Sequence, residues 1–309
     1  MHESITHAIY YFGVHLLYSS IVCVAAWILT SILRASATTK HWIWLATAIN
    51  FILPLGAVFD TLWSPHIFWA TPLGTIGSLG VAISENAVLA AALCVMWLIG
   101  VVSMLARLCV RIATDRRSTR ATVGKSMPSS GRYHVRGVPV RFTGGQPGPA
   151  VHGLLRSNIL LPQGIDRLLS QRELKSVLLH ELAHARRHDN LIRLIYEIAL
   201  CVLWFHPLFW ITGSRLALYR ELSCDESAIH SGHGDDLVSA LAKLAMYRER
   251  PLLRATATSF LRHRLDQLTR PRPLRLAANA MLSICFAVVC AAGVFATVSH
   301  TACCFVART

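Results

Sequence analysis

Residues 176–190 read SVLLHELAHARRHDN, and how that stretch folds decides what kind of protein this is. Ser170 and Glu173 form an S-x-x-E capping box, a helix start signal. Leu174, Leu178, Leu182 and Ala185 then recur at helical spacing, which predicts one buried face. His180 and His184 are four apart, so a helix brings both imidazoles to the same side. Glu181 falls on the adjacent arc. Asp189 and Asn190 read as the stop of this helix and the cap of a new one.

The triplet His180, Glu181, His184 is H-E-x-x-H, which a chain of this composition would show by chance roughly once in fifty. On a helix it offers two imidazoles to one zinc ion, with a carboxylate beside them to hold water. Catalytic zinc takes three protein ligands and keeps a position open. About forty residues on, Glu221 and Asp225 form E-x-x-x-D, four apart and on one helix face. Glu221 is the expected third ligand. Asp225 suits an acceptor that orients a ligand histidine. On its own that pair would read as a solvated acidic face. In this arrangement Glu181 is the catalytic base. Five other residues are weaker candidates. His188 reads as a surface residue and His206 as a packing or capping group. His230, His233 and Tyr219 are distant options for stabilising a transition state.

The rest of the chain is unusually apolar. Of 309 residues 54% are hydrophobic and 15% charged, against about 25% charged in a typical globular domain. Four windows lack Asp, Glu, Lys and Arg for long enough to span a bilayer: about 8–33, 42–59, 87–106 and 276–299. The net charge is +14, and 25 of the 30 Lys and Arg fall between residues 112 and 275. Such alternation follows the positive-inside rule. It places the N- and C-termini outside, the 34–41 link inside, 60–86 outside and 107–275 inside, and it argues against direct nucleic-acid binding. The first window lacks a basic lead and a cleavage site, so it reads as an uncleaved anchor. None of the nine Cys forms C-x-x-C, the usual mark of a thiolate zinc site.

Between the spans, residues 107–132 read as a solvated basic linker. YHVRGVPVRF, 133–142, alternates like a half-buried strand. TGGQPGP, 143–149, is a turn cluster, and NILLP, 158–162, a second strand. After a helix from about 191, the apolar run 198–212 contains Pro207. It is short for a span, which suits a membrane-associated or re-entrant segment. Helices over about 213–231 and up to about 248 follow, joined by a loop at 231–236. The strongly basic 248–275 reads as an anchor on anionic lipid.

HELAHARRHDN, LWFHPLFW and RELSCDESA, in that order between the third and last spans, resemble the BlaR/MecR-type membrane metallopeptidases, the beta-lactam-responsive antirepressor family. PAVHGLLRSNILLP, 149–162, matches their segment ahead of the motif. The resemblance implies a gluzincin-like zinc peptidase on the cytoplasmic side of a bacterial membrane. It implies His180, His184 and Glu221 as Zn2+ ligands and Glu181 as the catalytic residue. It further implies that an outside signal triggers cleavage of a cytoplasmic repressor, and in some members of the chain itself. His206 stands where the family has Asn. No penicillin-binding sensor domain is expected after the last span, which leaves beta-lactam sensing unsupported.

The expected fold is a mainly α-helical polytopic membrane protein with a small β-hairpin or sheet. Residues 1–112 form a membrane domain with three spans. Residues 113–275 form the zinc metalloendopeptidase domain, and 276–309 the last span and a short external tail. The expected partners are the bilayer and a protein substrate such as a transcriptional repressor; homo-oligomers are compatible with the sequence. Two other readings stay open on the residues alone. One is a quality-control or processing peptidase for membrane proteins. The other is a non-catalytic signalling protein with a structural zinc site.

Overall fold

The computed structural model describes residues 2–53, 87–123, 133–144, 148–247, 264–265 and 276–306. The segment 60–86 expected outside, the end of the 42–59 span and most of 248–275 lie outside them. The described chain is mostly helical with one small sheet, and it divides into two compact units built from interleaved stretches.

The first unit comprises residues 1–105, 199–216 and 275–309. Helix α1 (His2–Ile32) packs against α2 (Ala37–Ile52) and against α9 (Leu276–Val306), and α2 and α9 also touch. Ser36 starts α2 by accepting from the Thr39 amide, and its own amide donates to Asn279 Oδ1 at 2.7 Å. Val22, Cys23, Ala26, Trp44, Phe51 and Leu282 are buried. The buried Thr30 and Thr47 hydroxyls are satisfied within their own helices, donating to the Ala26 and Ile43 carbonyls. That is how polar side chains persist in apolar helices. Among the described residues two helical stretches are long and apolar enough to cross a membrane, Phe12–Ile32 and Val88–Arg117, and Leu276–Ala291 is a shorter apolar run.

The second of those stretches belongs to α3 (Ala87–Val123), which corrects the linker expected from residue 107. Residues 107–123 contain neither Gly nor Pro; Gly124 and Pro128 come only afterwards. Without those breakers the helix runs on through residue 123. The apolar 198–212 run is made of two helix ends. Helix α6 (Asp189–Val202) stops, and Pro207 becomes the first residue of α7 (Pro207–His230), where proline has no amide to waste. Trp97 donates to the Val202 carbonyl at 3.0 Å, and Trp204 to that of Trp97 at 3.3 Å. Gly100 permits this approach, since a Cβ there would fall 2.1 Å from the Trp204 ring.

The second unit comprises residues 106–198 and 217–274. Its sheet has four strands, β1 (Tyr133–Val135), β2 (Val138–Thr143), β3 (Ala150–His152) and β4 (Asn158–Pro162), in the order β1-β2-β4-β3. The expected single strand over 133–142 is therefore a hairpin. Arg136 (φ 48°) and Gly137 (φ 88°) make its two-residue turn, the left-handed pair that matches strand twist. Strand β2 runs parallel to β4 with Val140 opposite Ile159, and β3 runs antiparallel to β4. Ile159 and Leu161 point into a core with Ile165, Val177, Leu182, Ala228 and Leu237. That core joins the sheet to α4 (Ile165–Leu168), α5 (Gln171–Arg186), α7 and α8 (Gly234–Tyr247). The expected capping box is present at α5. The Ser170 side chain accepts from the Glu173 amide, and Glu173 accepts from the Ser170 amide at 2.7 Å.

Candidate metal centre

Helix α5 presents its histidines as its periodicity dictates. Leu182, Val177 and Ala185 turn into the core, so His180 and Glu181 sit at its margin, both buried. Helix α7 supplies Glu221 and Asp225 one turn apart, with Leu222 and Ala228 as its buried anchors. His180 Nε2 and His184 Nε2 lie 3.2 Å apart. Glu221 Oε2 is 3.8 Å from the first and Oε1 is 3.7 Å from the second. Donor atoms of His180, His184 and Glu221 all fall within 4.8 Å of one another.

The outer ring nitrogens explain why this cluster suits a cation. His184 Nδ1 is 2.6 Å from Asp189 Oδ2. Asp225 Oδ1 is 3.0 Å from His180 Nδ1, at ion-pair distance without regular hydrogen-bond geometry. The tautomer with both Nδ1 protons toward these carboxylates leaves both Nε2 lone pairs free. In that tautomer two lone pairs and a carboxylate face one point, an arrangement that a cation relieves. Zinc bonded to nitrogen at about 2.0–2.1 Å in a tetrahedron would separate the two nitrogens by about 3.3 Å. The donor set, two imidazoles and one carboxylate, fits that ion.

Four neighbours were not legible as site residues. Asp189 reads as a helix cap, but its carboxylate serves His184 and Arg187 instead. Asn190, read as the same cap, donates to the Val151 and Gly153 carbonyls. Arg187 reaches across to α7, donating to Asp189 Oδ2, Ser223 Oγ and Cys224 Sγ at 2.7–2.8 Å. His184, Asp189 and Cys224 are a second trio within ligand reach, yet the Arg187 guanidinium already supplies a positive charge there. Arg264, from the stretch read as a lipid anchor, lies against Asp225 and Glu221. Only Asp189 had a local signal, its place five residues after His184 beside a basic pair.

Charge in the site follows from burial and these contacts. Burial pushes the Glu181 carboxyl up, and the nearby histidines only partly offset it. A carboxyl raised in this way suits a general base. For Glu221, burial acts upward, but His184, His180 and Arg264 win and hold it below the usual carboxylate range. For Asp225, burial acts upward too, and the Arg264 and His180 contacts bring it down to about 2. The weaker histidine candidates lie elsewhere. His188 is exposed at φ 53°, its Nδ1 3.3 Å from the Leu154 carbonyl. His206 Nε2 is 3.2 Å from Ser20 Oγ, and its ring meets Phe51 edge-on. His230 is exposed at the end of α7, and His233 pairs with Asp236 at 3.0 Å. Tyr219 precedes Glu221 by two residues, about 200° round the helix.

Residues 11–268 match the family described as BlaR1 peptidase M56. Among curated proteins the chain is similar to Regulatory protein BlaR1 of Bacillus licheniformis, 28% identical over 169 residues. That alignment covers 52% of this chain and 27% of the relative. It is also similar to the Methicillin resistance mecR1 proteins of Staphylococcus aureus and Staphylococcus epidermidis. Each is 25% identical over 105 residues, covering 34% of this chain and 18% of the relative. The chain thus spans less than a third of the length of these relatives.

Proposed function

The chain belongs to the BlaR1 peptidase M56 family, and from that premise we propose that it is a membrane zinc endopeptidase acting in signal transduction. The observation that carries this reading is the convergence of His180 Nε2, His184 Nε2 and Glu221 on one point. These three would hold the zinc. With zinc held there, the site would gain a Lewis acid able to polarise a carbonyl and lower the pKa of water to about 7. Glu181 takes a proton from the attacking water. As the carbon–nitrogen bond breaks, Glu181 gives that proton to the leaving amine. Asp189 and Asp225 orient the two imidazoles from behind.

The positive-inside pattern supports a cytoplasmic site, with both termini outside and the peptidase domain between the third and last spans. Trp204, Phe205 and Trp210 suit the headgroup level, in keeping with a membrane-associated stretch near 198–212. The similar proteins are named as regulatory and resistance proteins, which supports regulated cleavage of a protein substrate such as a repressor.

The test compares the proteome of cells making the chain with that of cells making Glu181→Gln, which also serves as a substrate trap. Fragments that appear only with the active chain, and a captured soluble regulator, are the expected result. Capture of membrane-protein fragments would favour a quality-control peptidase instead. Identical proteomes would overturn the proteolytic reading.

A further inference from the structure

Arg264 belongs to the basic stretch 248–275, whose charge alone suggests lipid. Its side chain is instead only 11% exposed. Nε donates to Asp225 Oδ2 at 2.9 Å and Nη2 to Asp225 Oδ1 at 2.6 Å. Nη1 lies 3.6 Å from Glu221 Oε2. This is the two-pronged fork that a guanidinium makes and an ammonium cannot.

Asp225 needs such a partner. Its side chain is 1% exposed, and a buried carboxylate without a compensating charge is costly. It also stands one helical turn from a second carboxylate, Glu221, which it would repel. Arg264 places nitrogens against both. The same Asp225 Oδ1 that takes the Nη2 bond lies 3.0 Å from His180 Nδ1. The fork thus fixes the oxygen that faces the histidine.

We propose that Arg264 is a positioning residue of the metal centre, holding Asp225 where it orients His180 and keeps Nε2 turned toward the metal. Arg264 is neither a ligand nor a group that touches the reacting atoms. The inference rests on the zinc reading above and goes one step outward from it. Coupling of this kind is reciprocal. Metal binding therefore stabilises the seating of Arg264, and that seating tightens metal binding.

The test uses the full chain in detergent. Zinc affinity is measured by competition with a chelator, and ligand geometry by the visible spectrum of the cobalt-substituted protein. Arg264→Gln is expected to weaken zinc about 10–100-fold, the usual cost of losing an outer partner, and to alter the cobalt spectrum. Arg264→Lys keeps the charge without the fork and should fall between. Because Arg264 acts through Asp225, adding Arg264→Gln to Asp225→Asn should change affinity by no more than about twofold. Zinc should also slow tryptic cleavage after Arg264 in the wild type and not in Asp225→Asn. Unchanged zinc affinity and spectrum in Arg264→Gln, or losses that multiply in the double variant, would overturn the proposal. A wild-type chain that binds no zinc would defeat the metal reading and this one with it. Tight wild-type binding with an indifferent Arg264→Gln would defeat this one alone.

Discussion

At the residue scale, the centre is a set of carboxylates assigned different tasks by their surroundings. Glu181 is buried and pushed up, while Glu221 and Asp225 are held down by cations. Asp189 is held down as well: burial acts upward, but the His184 and Arg187 contacts outweigh it. An ionised Asp189 keeps the Nδ1 proton of His184, so His184 offers Nε2. Asp189→Asn retains the size and loses the charge. Its zinc affinity should fall about 10–100-fold, read by chelator competition. Wild-type affinity in that variant would remove Asp189 from the account. The H-E-x-x-H triplet and the E-x-x-x-D pair were legible because helical spacing brings them together locally. Arg264 was not, because its partner Asp225 is remote in sequence and no periodicity links them.

At the element scale, α5 is the frame of the centre, and its start was written in the sequence. Ser170 and Glu173 make the capping box, but Glu173 also accepts from Lys243 at 2.8 Å and Ser239 at 2.5 Å, both on α8. One carboxylate thereby caps α5 and ties it to α8. The Lys243 contact first, then Ser239, lower its pKa to about 2. A free glutamate titrates near 4.3. The folded value is the lower one, so this stabilisation is complete above about pH 4.3 and fades as pH falls toward about 2. Glu173→Gln should therefore be less stable at neutral pH and lose less on acidification, followed by helical circular dichroism under denaturant. Parallel acid limbs in the two proteins would show that Glu173 is not the group involved. Other elements were harder to read. The hairpin turn at Arg136 and Gly137 hides inside an alternating run, because only Gly137 departs from strand character. The helical 107–123 stretch was obscured by breakers that lie beyond it.

At the scale of the whole molecule, the chain carries two kinds of chemistry in interleaved stretches. Apolar helices make one unit, and a small sheet with polar-margined helices makes the other. The long apolar helices at Phe12–Ile32 and Val88–Arg117 were legible because a stretch able to cross a bilayer needs a long uncharged run, a signal that needs no knowledge of packing. The four-stranded order was not, because β2 pairs directly with β4, passing over β3 in the sequence. Nothing local in a sequence specifies such a crossover.

The central claim is that this chain holds a catalytic zinc between α5 and α7. It is tested most directly by measuring zinc content and cleavage of a protein substrate on the same purified full chain. The account predicts about one zinc per chain in the wild type and in Glu181→Gln, none in His184→Ala, and cleavage by the wild type alone. A wild-type chain without zinc, or a Glu181→Gln chain that cleaves as fast as the wild type, would contradict it.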